Sequence, residues 1–273
     1  MPEFILETSM TSSFSVTVPG KWVLTGEHSV LRGKRAIAFP HPEFHLTFRY
    51  HSSDFREIQP YAANESLGAL LDSLSISTGV FQLESSIPIQ AGLGSSAAIC
   101  VAIAQWRVAQ GMLKKSEIFD FAKNLEDLFH GKSSGMDISV IAQDVPICFS
   151  IEKGGNPLSL SWKPKWTFHD TGLRSPTKEC VHQVNEWVES NPHQATILDQ
   201  QMENATEMAL DSLQSGNLEK LRDSMKHAQE VFYAWGLISY EIEQLEKKLY
   251  EQGALAVKLT GAGKGGFLVA LWS

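Results

Sequence analysis

Three glycine-rich stretches of this chain place backbone amides, hydroxyls and carboxylates where they could grip an anion. The first, P-I-Q-A-G-L-G-S-S-A-A-I (88–99), sets Gly92, Leu93 and Gly94 before Ser95, Ser96, Ala97 and an apolar helical run. Glycine lets the backbone bend and approach a ligand closely, and the first turn of a helix offers amides and the positive dipole end to a phosphate. The Ser96 hydroxyl could also ligate a magnesium ion carried by a nucleotide. Taken in isolation, a plain glycine turn with a serine N-cap accounts for the stretch equally well. The literal match to G-x-G-x-x-A does not make a dinucleotide site. The helix after it runs into a second helix, without the parallel strand that a Rossmann unit requires.

The second stretch, L-T-G-A-G-K-G-G-F (259–267), lies between two apolar strand-like segments. No Ser or Thr follows Gly263-Lys264, so it is not a Walker loop. It holds more glycine than a two-residue hairpin turn needs. Its amides and Lys264 read as a lid against a phosphate or as a packing partner for the first loop, with a flexible hairpin as the plainer alternative. The third, H-G-K-S-S-G-M-D (130–137), ends in Asp137 after a Ser-Gly bend, a common place for a functional acid and also for ordinary turn chemistry. In the helix before it, Ile118, Phe121, Ala122, Leu125, Leu128 and Phe129 mark the buried face. Glu126 lies about 40° from Ala122 around the wheel, whereas Asp127 points away. Glu126 is therefore the carboxylate expected to enter a site, and Asp127 the solvated one. His41, His45 and His51 share strand parity, but their spacing around Pro42 fits no usual metal site.

The elements that must position these loops follow from periodicity. Residues 14–50 alternate as strands broken at Pro19-Gly20, residues 65–77 form a helix, and F-Q-L-E-S-S-I-P leads into the first loop as a strand. Helices follow over about 95–110 and 116–129, the latter capped by Ser116, and 138–151 is β-prone. K-G-G-N-P (153–157) is the candidate domain boundary, dividing the chain at 152/153. Beyond it come a strand at 166–170, helices near 177–189, 194–214, 217–234 and 239–252, a stop at Gly253, and two strands flanking the second glycine loop. Clustered rather than alternating elements indicate an α+β fold.

Composition bounds the function. The chain has 273 residues, 43% apolar and 20% charged, with a formal net charge of -8. A broad basic surface for nucleic acid is not expected, so an anionic ligand must be met by a few placed cations and amides. Cys100, Cys148 and Cys180 show neither zinc nor disulfide spacing, which suits a reducing cytoplasm. The N-terminal residues do not read as a signal peptide, and the longest apolar run, 97–104, is too short to span a bilayer.

In this order the loops resemble the motifs of the GHMP small-molecule kinases. V-P-G-K-W-V-L-T-G-E-H-S-V-L-R-G is similar to that family's first motif, P-I-Q-A-G-L-G-S-S-A-A to its second, and K-L-T-G-A-G-K-G-G-F to its third. H-G-K-S-S-G-M-D resembles the segment bearing the catalytic aspartate, and D-T-G-L-R-S-P-T-K (170–178) a substrate-side segment. The Glu27-His28 pair resembles the mevalonate branch. The resemblance implies two domains meeting at a cleft: an N-terminal α+β nucleotide-binding domain, 1–152, and a C-terminal ferredoxin-like domain, 153–273. It implies ATP and Mg2+ as cofactors and phosphoryl transfer to the primary hydroxyl of mevalonate, with a phosphomevalonate- or sugar-directed kinase or an inactive nucleotide sensor as alternatives.

By residue, the resemblance makes Asp137 the catalytic acid assisted by Lys21, Gly92–Ala97 the nucleotide loop, and Ser96 and Glu126 the metal ligands. Glu27, His28, Thr177, Gly261, Ala262 and Gly263 fall to substrate binding. Arg174, Lys178 and Lys132 are the cations that a phosphorylated acceptor would call on. The implied partner is a small molecule, with no nucleic acid or membrane, and a two-fold homodimer is entertained. Ile99 stands where some members carry a tyrosine, Ser133 where a proline is frequent, Pro176 lies inside the substrate-side segment, and the chain ends at Ser273 where a helix is usual.

Overall fold

A computed structural model describes residues 11–59, 64–131 and 133–273. The opening decapeptide, weighed above as a signal sequence, and Lys132 lie outside the described residues. The chain begins with two long antiparallel strands, β1 (Ser13–Thr25) and β2 (Ala36–His51), joined through a 3-10 turn at Ser29–Arg32. Pro19-Gly20 does not divide β1 into two strands. The register slips between Pro19 and Lys21 as a bulge, and the strand continues. Short β3 (Arg56–Ile58), β4 (Gly79–Ser85), β5 (Ile147–Ser150) and β6 (Gly154–Pro157) complete the larger sheet, ordered β3-β4-β2-β5-β6 with β1 also on β2.

The helices on this sheet are α1 (Asn64–Ser73), α2 (Ser95–Ala109), α3 (Ile118–His130) and α4 (Met136–Gln143). Helix α2 is buried nearly all round, from Ala97 to Ala104 and again at Trp106, as suits its unbroken apolar run. Two expectations are corrected here. Residues 138–143 are helical, and only Ile147–Ser150 form a strand; a short apolar run buried on every side has the same composition in either state. Ser116 is not an N-cap: a 3-10 turn at Lys115–Glu117 precedes α3, and the Glu117 carboxylate accepts the Lys114 amide at 2.8 Å.

K-G-G-N-P is not a linker. Gly154–Pro157 pairs with β5, so the larger sheet runs through Pro157, and the smaller sheet begins at β7 (Lys165–Asp170). Helices α5 (Thr177–Ser190), α6 (Pro192–Ser215), α7 (Leu218–Ala234) and α8 (Tyr240–Glu251) follow, then β8 (Ala256–Thr260) and β9 (Phe267–Trp272). The smaller sheet is antiparallel in the order β7-β9-β8, three strands in place of the four of a full β-α-β-β-α-β unit. Its strands obey period two. Phe267, Val269 and Leu271 join the N-terminal core, while Leu268 and Ala270 join a second core with Cys180, Met202, Phe232 and Trp235 from the helices. The sheet is thus buried on both faces.

Candidate active site

The N-terminal and C-terminal glycine loops meet back to back. A Cβ at Gly92 would lie 3.1 Å from the Gly261 Cα, and one at Gly261 would lie 3.0 Å from the Gly92 Cα. Each loop therefore excludes a side chain on the other, which is why both are glycine there. At Gly94, the residue before α2, φ is 76°, and a Cβ would come within 2.8 Å of the Lys21 Cγ. The β1 bulge brings the Lys21 amide to the Leu93 carbonyl at 2.9 Å, locking strand to loop.

This juncture opens into a cleft of about 590 Å³ lined by residues from β1, the first loop, α3, α4, α5 and the second loop. Two helices begin at it. Helix α2 starts at Ser95, and α4 starts after Gly135, with Asp137 in its first turn. The amide-rich ends and positive dipole poles of two helices make this region favourable to an anion. Lys21 Nζ sits 3.0 Å from Asp137 Oδ2, its side chain 6% exposed against 26% for the aspartate. The pair juxtaposes a proton-accepting oxygen and a fixed positive charge beside that anion site.

Glu126 projects from α3 into the same cleft and is buried, as its place on the helical wheel requires. Burial, then the Asp137 charge, pushes its carboxyl up to about 8. Its Oε2 is buried without a hydrogen-bond partner. Asp127 turns away, accepting the Ser133 amide at 2.7 Å and pairing with Lys123 at 2.8 Å. Ser133 in place of proline supplies that amide, which a proline could not donate. A buried carboxyl with one unpartnered oxygen, lining the same cleft as the serine-bearing start of α2, fits a divalent cation, which would offset the burial cost. Among the described residues no group of three or more His, Cys, Asp or Glu could cage a metal. Mg2+ is usually held by one or two protein ligands, with phosphate oxygens and water completing its shell.

Glu27 and His28 also line the cleft. His28 has φ 60°, and its Nε2–H donates to the Ala262 carbonyl at 2.8 Å. Burial lowers its pKa to about 4, so the ring is neutral, and it packs edge-on against Trp235 at 5.4 Å. Glu27 forms a buried ion pair with Lys258 of β8. Thr177, Lys178, Gly261 and Ala262 line the cleft as well.

Two of the expected site residues are tightly packed. Ala97 is fully buried in the first turn of α2, and Gly263 packs on Leu237 while its carbonyl accepts from the Cys180 thiol at 3.4 Å. Arg174 is absent from the cleft, held by a bidentate pair with Asp170 at 2.7 Å. His41 is a core residue, its Nδ1 accepting the Glu43 and Phe44 amides at 3.2 Å. Lys258 was missed in the sequence because it sits in an apolar strand; its parity with Thr260, opposite to Val257 and Leu259, was the available signal.

The chain matches the family model for the GHMP kinases N terminal domain over 61–144 and that for GHMP kinases C terminal over 209–273. It is 29% identical to a mevalonate kinase of Aeropyrum pernix, covering 96% of this chain and 90% of that protein. It is 30% identical to a mevalonate kinase of Pyrococcus horikoshii, covering 93% and 87%. Its fold superposes on the crystal structure of L. major mevalonate kinase in complex with R-mevalonate with a TM-score of 0.81, at 23% identity, covering 96% and 89% of the two chains.

Proposed function

The chain belongs to the GHMP kinase family, and from that premise we propose that it transfers the terminal phosphoryl group of ATP to the primary hydroxyl of mevalonate. The observation that carries the reading is the Lys21–Asp137 pair at 3.0 Å, set where two helices begin in a cleft shared by both glycine loops. Phosphoryl transfer proceeds through a loose transition state, so the protein contributes mainly position and charge. Asp137 accepts the proton of the attacking hydroxyl, and Lys21 balances charge on the nucleophile's side. The Gly92–Ser96 segment holds the phosphates by its backbone and the α2 dipole. Ser96 and Glu126 are the residues that would hold Mg2+, which when bound neutralises phosphate charge.

Glu27 and His28 receive the acceptor. A neutral His28 and a carboxylate suit an acceptor recognised through hydroxyl groups. Of the cations a phosphorylated acceptor would call on, Arg174 is engaged by Asp170 while Lys178 lines the cleft, so the choice of acceptor rests on turnover. The test is coupled ADP release with mevalonate, phosphomevalonate and galactose in parallel. Turnover of mevalonate above the other two is expected; a preference for either of the others would reject the acceptor while keeping the kinase.

A further inference from the structure

Lys258 has no place in the phosphoryl-transfer chemistry above, yet it is a lysine only 1% exposed. Its ammonium donates to Glu27 and to the Leu259 carbonyl at 2.7 Å, and it lies 4.5 Å from the centre of the Phe232 ring. Glu27 and Lys258 are 231 residues apart in sequence. Glu27 lines the cleft, its Oε1 is taken by Lys258, and its Oε2 has no hydrogen-bond partner. A buried carboxylate oxygen without a donor is costly, and a ligand that supplies one gains what the empty site lacks.

Resting on the kinase reading, we propose that Lys258 is a positioning residue: it ties one oxygen of Glu27 to β8 so that the other receives a hydroxyl donor of the small-molecule acceptor. An anionic group on the acceptor would meet repulsion there, so this wall selects a hydroxyl and leaves any carboxylate of the substrate to face elsewhere.

The groups around Glu27 are few. Lys21 on β1 acts on it at longer range, the adjacent His28 is neutral, and Arg32 lies beyond His28. Helix α7 contributes the uncharged Gln229 and Phe232, with Glu246 of α8 behind Gln229, whose Oε1 accepts the Leu259 amide at 3.0 Å. Burial pushes the Glu27 carboxyl up, and Lys258 is the main charge opposing that shift. Removing Lys258 therefore raises the pH at which Glu27 releases its proton.

The experiment compares the full-length wild type with Glu27→Gln, Lys258→Met and the double variant. Lys258→Met is expected to raise the KM for mevalonate tenfold or more with the KM for ATP within twofold. Its kcat/KM for mevalonate should also fall off on the acid side at a higher pH than wild type, a displacement that a purely structural role would not produce. The double variant should match Glu27→Gln within twofold. An unchanged mevalonate KM in Lys258→Met, or losses that multiply in the double variant, would overturn the inference. Should Lys258→Met not fold, Glu27→Gln against the charge-free double variant gives the same decision. A wild type inactive on mevalonate sinks the acceptor reading instead. The inference is then decided by 13C NMR of the Glu27 carboxyl, assigned by its loss in Glu27→Gln, whose titration must move to higher pH in Lys258→Met; no movement overturns it.

Discussion

Lys21 and Asp137 act as a unit because a bulge and a glycine set their distance. Asp137→Asn keeps the shape and removes the proton acceptor, so turnover should fall by roughly 10²–10⁴-fold. ATP binding, measured with a fluorescent nucleotide, should change little; loss of nucleotide binding in parallel would mean that the residue is structural. Glu126 gives a prediction of opposite character. Its carboxyl is at 4.5 when unperturbed and about 8 in the folded chain, so between those values the folded protein keeps a proton that the unfolded chain has released. Stability of the metal- and nucleotide-free protein should therefore decline as pH rises across that window, with the loss complete above about 8. Thermal melts of wild type and Glu126→Gln from pH 5 to 8.5 should converge at the acid end and diverge at the alkaline end, and Mg2+ with nucleotide should flatten the wild-type curve. Parallel curves would contradict the burial cost assigned to this group.

The elements matter through the contacts that they forbid. Gly94 combines a φ of 76° with a virtual Cβ 2.8 Å from the Lys21 side chain. Gly94→Ala should cost about 1–2 kcal/mol for the left-handed backbone alone. It should also displace Lys21, lowering kcat beyond what the stability loss explains; a variant with a lower Tm and normal kcat would show that the lysine has room to move. The start of α3 shows why boundaries are harder to read than faces. Helical periodicity separates Glu126 from Asp127 correctly, because burial follows the 3.6-residue turn. It does not place the boundary between the 3-10 turn at Lys115–Glu117 and α3, because a polar 3-10 turn and a polar first helical turn read alike in sequence.

At the scale of the whole molecule, α6 clamps the first motif to the C-terminal domain. Asp199 accepts from the Ser29 hydroxyl and twice from the Arg32 guanidinium, each at 2.6 Å, while Glu203 takes Arg35 and Thr206 bonds Thr25 at 3.0 Å. With Asp199 and Arg32 mostly buried, Asp199→Ala should destabilise the fold by about 2–4 kcal/mol in chemical denaturation. It should also raise the acceptor KM, since the Ser29 and Arg32 that it holds flank the acceptor wall; an unaffected KM would separate the clamp from the site. Local chemistry was legible in the residues alone: which loops need glycine, which helix face is buried, and which of two adjacent acids enters the cleft. These depend on backbone sterics and periodicity over a few residues. Long-range packing made 136–143 helical and let 154–157 close the larger sheet. It alone paired Glu27 with Lys258 and Asp199 with Ser29 and Arg32. Those outcomes depend on which groups remain to satisfy a buried charge or hydrogen bond once segments far apart in the chain have packed, and no local pattern encodes that choice.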